Sequence, residues 1–326
     1  MKLKFIILLH FALGLLFSAE SPTGVTNDTG FQYSVKSNGN GLVKFSSSEY
    51  TFDSFEGDDG KIYKKPVLSN PSFTSEAGLP DLPSRTTFIA VDPSKNYTLE
   101  VTYGSSRSVE NIDIVPKGSW DNDDNEIIST SMSYGSIENF YPENIATISE
   151  PMAMRELSLI MLTVSPFRYF PEEKRLEEFL DIEIELIESG NRESTLFYPS
   201  KRSRAFEPLY ESLVENYSSL NRENIPYQRP SILYVLPNNI GNLLGTVEVL
   251  MDWKRRQGYE VNYISSSNIV NNANNLKNYI ETAYEGWDNP PEYVTIVGDA
   301  EGSYDIPTHF ENWSGYNGEG LSLIHI

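Results

Sequence analysis

Two groups of residues in this 326-residue chain could do chemistry by type and spacing. The first is acidic: Asp299, Glu301 and Asp305 crowd the stretch after the apolar run Tyr293-Val294-Thr295-Ile296-Val297 and Gly298. Carboxylates gathered at the end of a strand offer the hard oxygen ligands that calcium prefers. An aspartate in that place can equally cap the turn that follows. The second group is basic: Ser200-Lys201-Arg202-Ser203-Arg204, then Arg222, then Arg229. In a chain of net charge −21, a basic cluster in an exposed linker is where an Arg- or Lys-directed protease would cut. Arg202, Arg204 and Arg222 are the candidate processing positions; Arg229 is a poor one because Pro230 follows it. A solvated linker that is never processed is the plain alternative.

Other chemistries lack their residues. The sequence has no cysteine, so it forms no disulfide, no thiolate metal site and no sulfur nucleophile. The histidines are His10, His309 and His325, none with a Ser or Cys partner at a recognisable spacing. Gly302-Ser303-Tyr304 lacks the flanking glycines of a nucleophile elbow, so Ser-His-Asp hydrolysis is not supported. Asp121 to Glu126 lacks the glycine and terminal glutamate of an EF-hand loop and reads as a hairpin tip. The strong negative charge argues against a nucleic-acid surface, which needs a basic stripe.

The elements before Asp299 must position it. Ile232-Leu233-Tyr234-Val235-Leu236 is the apolar run of a strand covered on both faces. A helix is predicted over Asn242 to Gln257, where Leu243, Leu244, Val247, Leu250, Met251 and the stem of Lys254 recur at helical steps. Gly258 closes it as a left-handed C-terminal residue. Tyr259 to Ile264 is the next strand, and Asn274 to Glu285 the next helix, through Leu276, Ile280 and Tyr284. Pro290-Pro291 stops that helix, and Tyr293 to Val297 is the third strand. Strands joined in this way form a parallel sheet with right-handed crossovers. Its working edge lies beyond the C-terminal strand ends, where Asp299 sits. Asn238-Asn239-Ile240-Gly241 is no phosphate cradle, which argues against a nucleotide-binding sheet.

Three stretches follow one another here: Met251-Asp252-Trp253-Lys254-Arg255-Arg256-Gln257-Gly258-Tyr259-Glu260-Val261, Leu276-Lys277-Asn278-Tyr279-Ile280, and Pro290 to Asp299 with Ile306-Pro307 after it. In order and spacing they resemble the gingipain family of cysteine peptidases. The resemblance implies a caspase-like α/β domain that hydrolyses peptide bonds through a Cys–His dyad, with backbone amides stabilising the oxyanion. It also implies calcium as a folding aid in some members. The family's Cys and His-Gly context are not in this sequence, so the chain as written is expected to be inactive. A sheet of three strands is incomplete as a domain. Leu321-Ser322-Leu323-Ile324-His325-Ile326 does not resemble the family's continuation, so a truncated reading frame with a foreign tail is expected.

Upstream, from Gly30 to Glu188, short β-branched and aromatic runs alternate with Gly, Pro, Asn and Ser clusters, as in an all-β sandwich. Phe31 to Val35, Thr86 to Val91, Tyr97 to Tyr103 and Leu157 to Val164 are strands of this kind. From Phe179 to Glu188 the Leu and Ile side chains alternate with acidic ones, which places one face on the core and the other in water. Gly78-Leu79-Pro80-Asp81-Leu82-Pro83, Tyr141-Pro142, Arg155-Glu156-Leu157 and Val164-Ser165-Pro166-Phe167-Arg168-Tyr169-Phe170-Pro171 resemble, in their order, the gingipain prodomain. That likeness implies a β-sandwich that holds the peptidase inactive until export.

Met1 to Ala19 reads as a signal peptide: Lys2 and Lys4, the apolar run Phe5 to Phe17, then small Ser18-Ala19. The run is too short to span a membrane comfortably. The expected plan is multidomain: a signal peptide over 1–19, an all-β sandwich prodomain over 20–199, a linker over 200–229, and an incomplete α/β parallel-sheet domain over 230–326. Secretion or display at the cell surface follows, with protein or peptide substrates for the full-length enzyme and an intramolecular prodomain–peptidase contact. No nucleic acid, and no membrane after signal removal, is expected. Two other functions fit the same residues: a secreted non-catalytic surface or adhesion module with a degenerate peptidase fold, and a prodomain acting in trans as an inhibitor.

Overall fold

Alternation builds the first half of the molecule. Phe31–Val35, Gly41–Ser46, Asp181–Asn191 and Lys95–Tyr103 lie side by side, in that order, as an antiparallel sheet. A second sheet runs Ala146–Ile148, Leu157–Val164, Pro83–Ala90, Ser72–Phe73, and Met152–Met154 also pairs with Leu157–Val164. The two meet in one core of Val43, Phe45, Ile182, Ile184 and Leu186 with Ile89, Ile160, Leu162 and Val164. Each such side chain contributes about 1.5–3 kcal/mol by leaving water. Ile182, Ile184 and Leu186 are buried while Asp181 and Glu183 are exposed, as the sequence pattern predicts. The strand starts later than predicted, because Phe179 ends a separate strand, Arg175–Phe179, paired with Phe167–Phe170 and Ser106–Val109.

The structure, a computed structural model, describes residues 30–320 except 58, 70, 74–75, 121–125, 128–133, 135–136, 138, 300–301 and 314–315. The predicted signal peptide, Glu301 and the tail 321–326 therefore lie outside the described residues. So does most of the acidic stretch after Trp120, although Ser119–Trp120 and Glu126–Ile127 on either side of it pair antiparallel.

Among the described residues the first helix is Glu207–Leu213, and a parallel sheet follows it. Ser231–Val235 is central, between Glu260–Ile264 and Tyr293–Ile296. It is buried throughout. Leu233 and Val235 pack with Leu276, Ile280 and Ala283 on one face, and Ile232, Tyr234 and Leu236 with Met251 and Val261 on the other. The covering helices are Ala273–Gly286 and Leu244–Arg256, and Gly258, at φ 96°, lies just past the end of the latter, as predicted. The helical stripe is narrower than predicted. Leu244, Val247 and Met251 reach the core, whereas Leu243 and Leu250 are 40% and 43% exposed.

Candidate functional site

Gly298 follows the third strand because nothing larger fits. A Cβ there would stand 2.6 Å from the Tyr304 carbonyl oxygen and 2.8 Å from Ile306 Cγ1. The backbone of Asp299 then closes a loop: its N–H donates to Tyr304 O (3.1 Å), and its carbonyl accepts from Ile306 N–H (2.8 Å). Buried Ile306 anchors the far side of that loop in the sheet's core. Asp299 and Asp305 are bridged neighbours and both are exposed. Among the described residues no group of three or more His, Cys, Asp or Glu comes together to hold a metal ion. Calcium takes about six to eight oxygens, so two carboxylates on an open turn do not by themselves form its site. A cavity of about 320 Å³ opens beside this turn, lined by Pro237, Ile240, Leu243, Val297 and Tyr304.

Arg202 and Arg222 are packed into the fold rather than lying in an exposed linker, which corrects the sequence expectation for those two, whereas Arg204 and Arg229 are exposed. Glu207–Leu213 brings Tyr210 onto the β layer, and Val214 follows, both buried against Leu157 and Leu159. Glu215 N–H donates to Phe88 O (2.8 Å). The side-chain amide of Asn216 donates to Ala90 O (2.9 Å) and accepts from Ala90 N–H (2.8 Å). These contacts cover the part of the Pro83–Ala90 strand that Ser72–Phe73 leaves unpaired.

Two of the three predicted processing arginines sit inside this packing. Arg202 grips Glu207 with both prongs, Nε to Oε1 and Nη2 to Oε2, each at 2.9 Å. Its Nη1 donates to the carbonyl oxygen of Arg222 (3.1 Å). The Arg222 side chain is 8% exposed and donates to Glu156 Oε1 and Tyr217 Oη, both at 2.7 Å. Tyr210 Oη completes the set, 3.0 Å from both Glu156 Oε2 and Met154 O and sharing its one hydrogen between them. Desolvating two ions is costly, and the pair survives burial because these hydroxyls and carbonyls meet the remaining hydrogen-bonding groups. Burial alone would raise the Glu207 carboxyl, but hydrogen bonds from Arg202 and Tyr217 and the Arg222 charge together hold it below its ordinary value. Burial, helped by Glu207, pushes the Tyr217 phenol up to about 12. Arg204 differs from both: it is exposed, with its guanidinium 4.2 Å from the Tyr227 ring centre.

Sequence reasoning missed the side chain that crosses to the parallel sheet. Arg155 and Glu156 form a two-residue turn between Met152–Met154 and Leu157–Val164, and Arg155 stands at φ 51°. Glycine or asparagine would suit that place better, and a left-handed arginine costs about 1 kcal/mol. The side chain offsets the strain. Nη2 donates to Gln228 Oε1 (2.9 Å) and Nη1 to Pro291 O (3.3 Å). The guanidinium packs over the Phe206 and Tyr284 rings at 5.1 and 5.6 Å. Lys201 Nζ adds a bond to Asp288 O (2.8 Å), and Ser203 Oγ one to Glu292. The available signal was a tight turn between strands that carries Arg-Glu in place of Asn-Gly.

Comparison with known proteins gives this arrangement its context. Propeptide_C25 matches residues 33–219, and Peptidase family C25 matches residues 225–321. The chain belongs to the gingipain family, peptidase family C25. It comprises a gingipain-family prodomain and the N-terminal part of the peptidase domain. Gingipain R2 of Porphyromonas gingivalis is 26% identical over 258 residues, 74% of this chain and 34% of the relative. Gingipain R1 of the same organism is 23% identical over 253 residues, 74% of this chain and 25% of the relative. The chain thus spans about a third or less of the length of these curated relatives. The complex of P. gingivalis RgpB pro- and mature domains has a TM-score of 0.52 at 22% identity, covering 59% of this chain and 98% of that one. That likeness speaks for the fold. The first family match runs through Glu207–Leu213, in keeping with the packing of this helix on the β layer.

Proposed function

We propose that the chain is the prodomain and leading peptidase segment of an exported cysteine endopeptidase precursor, and that the β-sandwich holds a caspase-like domain inactive. The Arg155 bridge carries this reading. A strained turn of the β layer is kept so that one guanidinium can bind Gln228 and the Pro291 carbonyl at the foot of the parallel sheet. The family's chemistry needs a thiolate activated by a histidine. With no cysteine among its 326 residues, this chain does not supply the thiolate itself. Protein or peptide substrates belong to the full-length enzyme, and export rests on the composition of residues 1–19. A surface or adhesion module is not favoured, since the prodomain and peptidase matches follow one another in order.

The test is expression of the gene with whatever coding sequence follows Gly320. After removal of the prodomain, the product should hydrolyse peptides in a way that iodoacetamide abolishes. Hydrolysis that ignores the thiol reagent, or none at all, would sink the proposal.

A further inference from the structure

Asn38-Gly39 and Asn40-Gly41 stand back to back where the chain turns from Phe31–Val35 into Gly41–Ser46. An asparagine before a glycine is open to attack on its side-chain amide by the next backbone nitrogen, because glycine has no Cβ to hinder the approach. As dipeptides the two are identical, and the fold separates them. Gly41 is buried and in register with Val35 on one side and Leu186 on the other. The Tyr33 ring lies on its α-carbon, so closely that a Cβ would stand 2.9 Å from Tyr33 Oη. The Gly41 nitrogen therefore swings toward Asn40 only if two strand pairings open together. Gly39 is exposed at φ 90°, with nothing within 4 Å of the place of a Cβ. The turn's own bonds restrain it: Gly39 N–H donates to Lys36 O (2.9 Å), and Asn40 N–H to Asn38 Oδ1 (3.0 Å). Nδ2 of Asn38, the group that would leave, donates to Glu185 Oε1 at 3.0 Å.

We propose that Asn38 is a site of spontaneous deamidation, that Glu185 is its brake, and that the sheet spares Asn40. Gly39 N attacks Asn38 Cγ, the Cγ–Nδ2 bond breaks, and Nδ2 leaves as ammonia with the proton that Gly39 N gives up. Water then opens the cyclic imide. Its hydroxyl goes to one of the two carbonyl carbons and its proton to the ring nitrogen, which yields aspartate or isoaspartate. Either product puts a carboxylate where Glu185 had a donor, and like charges repel. Lys36 and Asn40 still hold Glu185, so the turn loosens while the strands stay paired. That turn is one lip of a cavity of about 590 Å³ between the ends of the two sheets, with Tyr33, Val35 and Leu186 on one wall and Ala90, Val91 and Ser158 on the other. Ageing of the folded chain thus acts on the rim of this cavity.

The full chain is incubated at neutral pH, folded and in urea, and both asparagines are followed by peptide mass spectrometry, with isoaspartate labelled by an isoaspartyl methyltransferase. In urea the two should convert at similar rates. In the folded chain Asn38 should convert at least about ten-fold faster than Asn40, since an exposed turn opens far more readily than two strand pairings. Glu185→Ala should speed conversion of Asn38 at least about three-fold and leave Asn40 the slower of the two. Should that variant unfold, both asparagines convert at the urea rate, and the wild-type comparison decides. Asn38→Asp, one of the two products, should lower hydrogen-exchange protection at Phe31–Val35 and Gly41–Ser46 while Ser231–Val235 stays protected. Equal rates in the folded chain, a faster Asn40, an Asn38 that stays intact while the urea sample converts, a folded Glu185→Ala chain that reacts like wild type, or an Asn38→Asp chain that exchanges like wild type overturns the proposal.

Discussion

In the β layers the buried residues of one sheet face those of another: Ile184 and Leu186 across from Ile160 and Leu162 need no helix to cover them. The parallel sheet is built differently. Its central strand is buried by helices on both faces, while Tyr263, Tyr293 and Val294 on the flanking strands remain 46%, 44% and 36% exposed. The first region completes its own core. The second relies on what lies beside it, and Arg155 with Gln228 is its main polar tie to the β layers. Independence of core and dependence on a shared seam are separable properties, and substitutions can pull them apart.

The largest effects are expected from the cores. Leu162→Ala and Leu233→Ala should each cost about 2–5 kcal/mol, since both side chains are fully buried. Hydrogen exchange should show the first loosening the β layers while leaving Ser231–Val235 protected. Equal loss in both regions would merge them into one cooperative unit. Arg155→Ala should cost about 2–3 kcal/mol by leaving the buried Gln228 Oε1 and the Pro291 carbonyl without their donor. Protection should fall together at 200–229 and 288–292; a loss confined to the turn itself would break the idea of a shared seam. Tyr210→Phe removes the hydroxyl bonded to Glu156 and Met154 and should cost about 1–2 kcal/mol in urea unfolding. Gly258→Ala forces a Cβ into the left-handed region and should cost about 1 kcal/mol, within the parallel-sheet region alone.

Acid should act on the seam in a definite direction. The folded Glu207 carboxyl titrates below its ordinary value of 4.5. Its stabilisation is therefore complete above that value and is lost as pH falls through the lowered one. Glu215 opposes it: burial raises its carboxyl, so its contribution is present in acid and lost as pH rises through the raised value. Thermal melting of wild type against Glu207→Gln, scanned from about pH 6 to about pH 3, should show the difference shrinking toward acid. A difference that grows would reverse the assignment. At the turn between Phe31–Val35 and Gly41–Ser46, Lys36, Asn40 and Asn38 hydrogen-bond Glu185 and hold its carboxyl down at about 2, so that turn should keep its brace well below the range where carboxylates ordinarily protonate.

What could be read from the sequence follows from period and sign. A strand covered by helices is apolar along its length, and one between sheet and water alternates, so Ser231–Val235 and Asp181–Asn191 announced themselves. The likeness to the gingipain family rested on motif order and holds across both matched stretches. The seam was hidden because charge in a sequence looks solvated. Arg202, Arg222, Glu156 and Glu207 are the residue types of an exposed linker, and only their mutual pairing across distances of 5 to 66 positions makes burial affordable. Leu243 and Leu250 failed in the other direction: they fit the helical stripe but find no strand to pack against.

The side chain of Asn216 has a second consequence. By taking both the donor and the acceptor of Ala90, it does for a sheet edge what another strand would do. An uncovered edge is a template for strand addition between molecules. The segment that ties the two regions together therefore also keeps one copy of this chain from pairing with the next, and a prodomain that loses it should be the species that aggregates.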